Sequence, residues 1–156
     1  MIKDQICDWH LTIVGAGPEY AKLQNLIDRS GLSGKIRLVG RKTREEIVKL
    51  LNGADVYILA SSSETFGVAA AEAISCGVPV ISTDCGGPSD FISESNGMVV
   101  PVHDATKLSD AILYMYDNFS RFDRKAISET YRKKFSTEAI ATKLTDIFEN
   151  VIKKHQ

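Results

Sequence analysis

A chain of 156 residues fits one ordinary domain, and at that size about 68–70% of the unfolded surface can be buried without disulfides or metal as staples. Apolar residues make up 44% and charged residues 25%, a globular mix in which no apolar run reaches the length of a membrane span. A formal charge of −1 gives nucleic acid no electrostatic hold.

The three cysteines, Cys7, Cys76 and Cys85, show no CxxC spacing, and the N-terminus MIKDQICDWH lacks a signal-peptide shape. Both features are expected of a chain in a reducing cytoplasm. His10, His103 and His155 are scattered, so no metal site is expected.

In chain order, His10 to Gly15 (HLTIVG) reads as a buried strand. Pro18 suits a first helical residue, with Tyr20, Leu23, Leu26 and Ile27 following at helical spacing and Gly31 and Gly34 marking the end. Ile36 to Gly40 (IRLVG) is a second strand. Thr43 with Glu46 forms a capping box, and Ile47, Leu50 and Leu51 face the core from the next helix. Asp55 to Ala60, Pro79 to Thr83 and Gly97 to Pro101 are three further strands. Asp104 or Thr106 caps a helix through Tyr116. Beyond Ser120 the pattern is helical, as two helices broken near Phe135 and Ser136. Strands that are apolar at nearly every position and alternate with helices predict an α/β domain with a doubly wound parallel sheet. Ligands of such sheets bind beyond the carboxyl ends of the strands.

The stretch Ser61 to Thr83, SSSETFGVAAAEAISCGVPVIST, carries Glu64 and Glu72 eight positions apart. Thr65 or Ser63 is expected to cap the helix that opens here, and Gly77 to stop it, with Pro79 just beyond. The first turn, Phe66, Gly67 and Val68, presents free N–H groups that attract phosphate, and Gly67 allows close backbone approach. Glu72 is the one charge between Thr65 and Val80. Burying it unpaired is costly, so water or a partner must reach it. Ligand hydroxyls on two carboxylates and phosphates on backbone N–H groups describe a nucleotide-sugar. A solvated Glu64 and a Glu72 paired to a structural arginine stay open as the alternative.

ADVYILASSSETFGVAAAEAISCGVPVISTDCGGPSDFI closely resembles the donor-binding, C-terminal half of family 4 glycosyltransferases, the retaining GT-B enzymes. The elements of resemblance are E-x(7)-E with Phe66 and Gly67 after the first Glu, then Glu72, Ala73, Gly77, Pro79, Val80 and Ile81, and the pair Gly86 and Gly87. LTIVGAGPEYAKL and IRLVGR look like the two preceding strand–loop units. SNGMVVPVHDATKLSDAI looks like the unit that follows. Asp90 departs from the Glu that many members carry after the glycine pair.

The resemblance implies roles. Glu64 meets the donor sugar near the reaction centre and is the catalytic candidate, and Glu72 holds the ribose hydroxyls. The amides of Phe66 to Val68 meet the diphosphate, and Thr65 is counted among the donor-binding residues. Gly40 and Arg41 meet the base, and Gly15 and Gly17 line the site, although a solvated Arg41 and a tight turn at the two glycines remain open readings. The substrate is a nucleoside-diphosphate sugar, with no cofactor and no metal needed. The acceptor, a glycan, a lipid or another molecule, would meet a separate N-terminal domain.

The resemblance further implies that residues 1–156 are a donor-binding fragment, inactive alone. A first donor-domain strand, with its phosphate-neutralising Arg and Lys, would be lacking. Peripheral membrane association of the longer parent and dimerisation through the truncated sheet are allied expectations. Filling the empty strand position by direct pairing of His10–Gly15 with Asp55–Ala60 is favoured over a folded-back Met1 to Asp8 or a strand from another molecule. The rivals are a GT-B nucleotide-sugar epimerase, a non-enzymatic binding module, and a dinucleotide-binding domain. VGAGPE supports the last only weakly, since Tyr20 stands where its third glycine belongs.

Overall fold

The computed structural model describes residues 5–154. The chain divides into two compact units, Met1–Leu50 and Leu51–Gln156.

In the first unit, β1 (Leu11–Ile13) pairs in parallel with β2 (Ile36–Leu38), with Leu11 opposite Ile36. Helix α1 (Tyr20–Arg29) connects them and buries Ile27. Pro18 lies just ahead of this helix in a turn closed by the Tyr20 N–H on the Gly17 carbonyl at 3.2 Å, so it is not the first helical residue. Helix α2 (Arg44–Asn52) starts in this unit on the expected capping box, and its last two residues, Leu51 and Asn52, belong to the second. The Glu46 N–H donates to the Thr43 hydroxyl at 3.3 Å, and the Thr43 N–H donates to the Glu46 carboxylate at 2.8 Å.

The second unit holds β3 (Tyr57–Leu59), α3 (Val68–Ser75), β4 (Val80–Thr83), β5 (Gly97–Val100), α4 (Ala105–Asn118), α5 (Arg124–Phe135) and α6 (Thr137–Lys154). Its sheet is parallel in the order β3-β4-β5. All four residues of β4 are buried, as a strand paired on both sides must be. Ile81 of β4 and Val100 of β5 pack with Ala111 and Met115 of α4, and Val56, Ile58 and Met98 extend this core. Asp104 caps α4, its carboxylate accepting from the Lys107 N–H at 2.9 Å, and Asp123 caps α5 in the same way. The break between the last two helices falls at Ser136.

β1 pairs within the first unit and β3 within the second. Residues 5–8 form no strand, while 1–4 lie outside the described residues. The ladders of β1 and β3 are only three residues long and half-buried.

Helix α3 ends as its glycine requires. Gly77 adopts φ 75°, the Val78 N–H donates to the Ala73 carbonyl and the Gly77 N–H to the Ile74 carbonyl, both at 2.9 Å. This is a Schellman stop. Helix α5 lies across it. Ser128 donates its hydroxyl to the Ser75 carbonyl at 2.7 Å, and the Arg124 guanidinium donates to the carbonyls of Ala54 at 2.9 Å and Leu51 at 3.3 Å. A methyl group at Gly77 would collide with the Arg124 backbone. Gly77→Ala therefore combines left-handed strain with overpacking and should cost about 3 kcal/mol. Thermal unfolding followed by circular dichroism should show the midpoint falling by roughly 6–12 °C.

Candidate functional site

The segment from Ala60 to Gly67 connects β3 to α3 and carries the first glutamate. Thr83, at the carboxyl end of β4, donates its hydroxyl to the Ser61 carbonyl and to that of Leu59, which holds the start of the loop. Glu64 then pairs with Gly86 as an isolated parallel bridge. Its N–H donates to the Cys85 carbonyl at 2.7 Å, and the Gly87 N–H donates to its carbonyl at 3.2 Å. The Ser61 hydroxyl donates to Glu64 Oε1 at 2.8 Å, which orients the carboxylate.

Glycine is needed where the two loops meet. A Cβ on Gly86 would lie 2.6 Å from the Glu64 carbonyl oxygen, and one on Gly87 would lie 2.5 Å from Phe66 Cα and 2.8 Å from Phe66 N. Pro88 presses on Gly67 in turn, leaving no room there for a side chain. The pair Gly86 and Gly87 is thus the bed on which Glu64, Thr65 and Phe66 rest. The sequence shows the pair but not this role, because the contact joins segments some twenty residues apart.

Helix α3 begins differently from expectation. Its cap residue is Gly67, in the left-handed region at φ 81°, and neither Thr65 nor Ser63 caps it. The side chains that sequence preference favours stand too early, since the chain turns sharply at Gly67 under Pro88. The first backbone hydrogen bond of the helix runs from the Ala71 N–H to the Gly67 carbonyl at 3.1 Å. The N–H groups of Val68 and Ala69, both exposed residues, come before it in the first turn, which leaves them without intrahelical acceptors. Phe66 is also exposed, so this end of the helix is open.

Glu72 lies one turn further along α3 and is half-buried. No ion pair to Glu72 or Glu64 is formed among the described residues, which disfavours a structural arginine as partner. Tyr57, the first residue of β3, shows how the two glutamates relate. Burial pushes its phenol above the ordinary value, and the negative charges of Glu64 and of Glu72 push it the same way. Both carboxylates therefore share one electrostatic neighbourhood, with Tyr57 in it. The sequence did not single out Tyr57, whose place in a strand reads as core.

The remaining candidates lie in the first unit. Gly15 follows β1 and Gly40 follows β2, and the Gly15 N–H donates to the Gly40 carbonyl at 2.9 Å. Both adopt positive φ, 139° and 69°. Gly15 and Gly17 line a cleft of about 250 Å3 together with Tyr20, Leu23 and Leu38. Arg41 is exposed beside Gly40. Among the described residues there is no group of three or more His, Cys, Asp or Glu side chains placed to hold a metal ion. No described helix is long and apolar enough to cross a membrane.

The bed of glycines can be tested directly. Gly87→Ala should cost about 1–3 kcal/mol through overpacking. Amide chemical shifts in a heteronuclear NMR spectrum should change mainly at residues 61–68 and 84–90. Shifts confined to residue 87 and its chain neighbours would contradict the contact.

Comparison with known proteins adds the wider context. The sequence model of the family described as "Glycosyl transferases group 1" matches residues 1–134. An uncharacterized glycosyltransferase of Methanocaldococcus jannaschii is 30% identical over 154 residues, covering 96% of this chain and 42% of that protein. Sucrose-phosphate synthase from Thermosynechococcus elongatus superposes with a TM-score of 0.80 at 28% identity, over 98% of this chain and 41% of its own. A variant of S. aureus TarM, solved with UDP among its ligands, superposes with a TM-score of 0.82 at 26% identity, over 94% of this chain and 30% of its own. The chain thus spans less than half the length of these relatives. Its solved neighbours are GT-B glycosyltransferases, and the α/β arrangement of parallel sheets flanked by helices is that of their Rossmann-like C-terminal domain. With the family model matching over most of its length, the chain belongs to the group 1 glycosyl transferases.

Proposed function

We propose that this chain is the domain that binds the nucleotide-sugar donor in a retaining glycosyltransferase. The observation that carries the reading is the Glu64 carboxylate, held by the Gly86 bridge and oriented by Ser61, beside the open first turn of α3. A nucleoside diphosphate sugar offers the matching chemistry. Its phosphate oxygens accept from the N–H groups of Phe66, Val68 and Ala69, and its hydroxyls donate to the carboxylates. Glu64, oriented by Ser61, faces the sugar and the reacting centre. Glu72 takes the ribose hydroxyls. Family membership and the UDP recorded with TarM support this reading.

Gly15, Gly17 and Arg41 are assigned to the donor by resemblance, Arg41 at the base. The acceptor would be met by sequence of the kind that makes the relatives more than twice as long. Whole-enzyme turnover is proposed for such a longer form and not for this chain alone.

Calorimetric titration of this chain with UDP, GDP, ADP and NAD tests the reading. We expect a nucleoside diphosphate to bind with a Kd on the order of 1 mM, since two or three backbone N–H bonds to phosphate contribute about 1.5–3 kcal/mol each before the cost of association is subtracted. Glu72→Ala should weaken UDP at least tenfold, the loss of one charge-assisted bond, and should abolish discrimination between UDP and 2′-deoxy-UDP. Glu64→Gln should leave UDP unchanged and remove any advantage of UDP-glucose over UDP. NAD bound more tightly than every nucleoside diphosphate would overturn the proposal in favour of a dinucleotide domain.

A further inference from the structure

We infer that Phe91, Tyr131 and Phe135 are positioning residues for the donor loop, acting through Phe66. The inference rests on the proposed donor site and extends it to residues far from the loop in sequence. Phe66 is 42% exposed, yet its ring is not free. Its centroid lies 5.3 Å from Phe91 in a tilted pair and 6.3 Å from Phe135 in an edge contact. Phe91 meets Tyr131 at 5.9 Å and Phe135 at 6.3 Å, both edge-on. Tyr131 and Phe135 stack at 4.6 Å with their planes 26° apart. Every ring touches at least two others, so the cluster is closed, and these distances are those of attractive aromatic pairs.

The cluster holds one face of a residue whose backbone is already held on the other. Gly87 lies against the Phe66 main chain, and Pro88 against Gly67. Phe66 stands two residues from Glu64 and two from Val68. Turning its ring out of the cluster would move the carboxylate and the first N–H groups of α3 together. Helix α5, by contrast, has anchors other than Phe135. It is fixed by Arg124 on the carbonyls of Leu51 and Ala54 and by Ser128 on Ser75. A substitution at Phe135 can therefore loosen the loop while the helix stays in place.

The test compares the unmodified chain with Phe135→Leu, which keeps apolar bulk but loses the ring, and Phe135→Tyr, which keeps the ring. Amide hydrogen exchange is read for residues 62–70 and, as the internal reference, for residues 78–83 of the buried strand. UDP affinity is read alongside. We expect Phe135→Leu to speed exchange in 62–70 about tenfold, with 78–83 unchanged, and to weaken UDP by a similar factor, the scale of losing ring contacts that are worth about a decade together. Phe135→Tyr should restore both. Unchanged exchange in 62–70, or acceleration spread equally over 62–70 and 78–83, would overturn the inference. An unmodified chain that binds no nucleoside diphosphate would defeat the donor reading. In that event the exchange comparison still decides whether the aromatic cluster positions the loop.

Discussion

Two loops at the carboxyl end of the second sheet touch main chain to main chain, and that contact sets the geometry of everything around it. The bridge between Glu64 and Gly86 continues the pairing of β3 with β4 past the ends of both strands. It holds only because Gly86 and Gly87 carry no side chain where the Glu64 carbonyl and the Phe66 backbone lie. From it follow the place of the Glu64 carboxylate, the turn at Gly67, and the direction in which α3 offers its first N–H groups. A carboxylate needed beside an anion would repel it if allowed to wander. Under the proposed donor reading, fixing it through its own backbone, and then through Ser61, would let it serve hydroxyls while the neighbouring amides serve phosphate.

Much of the fold was legible because its signals are local. The Thr43–Glu46 box, the Gly77 stop and the Asp104 cap each reside within a few residues of sequence, and each forms as read. The fully buried β4 was legible from Val80 and Ile81 behind Pro79, although its other two residues, Ser82 and Thr83, are polar. Strand ends were read too generously at β1, β2 and β3, where flanking apolar residues continue the pattern but the ladder stops.

The site shows the same division. Glu64, Phe66, Gly67 and Glu72 could be singled out because they crowd into one loop and one helix. The cap of α3 could not, because Gly67 is left-handed and lies against Pro88, twenty-one residues away, where no side chain fits. Tyr57 was missed because strand residues look alike until the charges beside them are known. Phe91, Tyr131 and Phe135 gave only the hint that Tyr131 and Phe135 are one helical turn apart.

The strand order β3-β4-β5 repeats the order of the chain. A sheet so arranged can be laid down as it is synthesised, each strand adding to the edge left by the one before, with no later strand forced between two already paired. β3 and β4 are joined through α3, and β4 and β5 through residues 84–96, so the loop-closure entropy of each addition stays small. The exception is α5, which reaches back to the carbonyls of Leu51 and Ala54 across some seventy residues. Its docking is the long-range closure of this unit, and it also brings up Tyr131 and Phe135. One helix thereby ties the start of this unit to the aromatic cluster beside the loop.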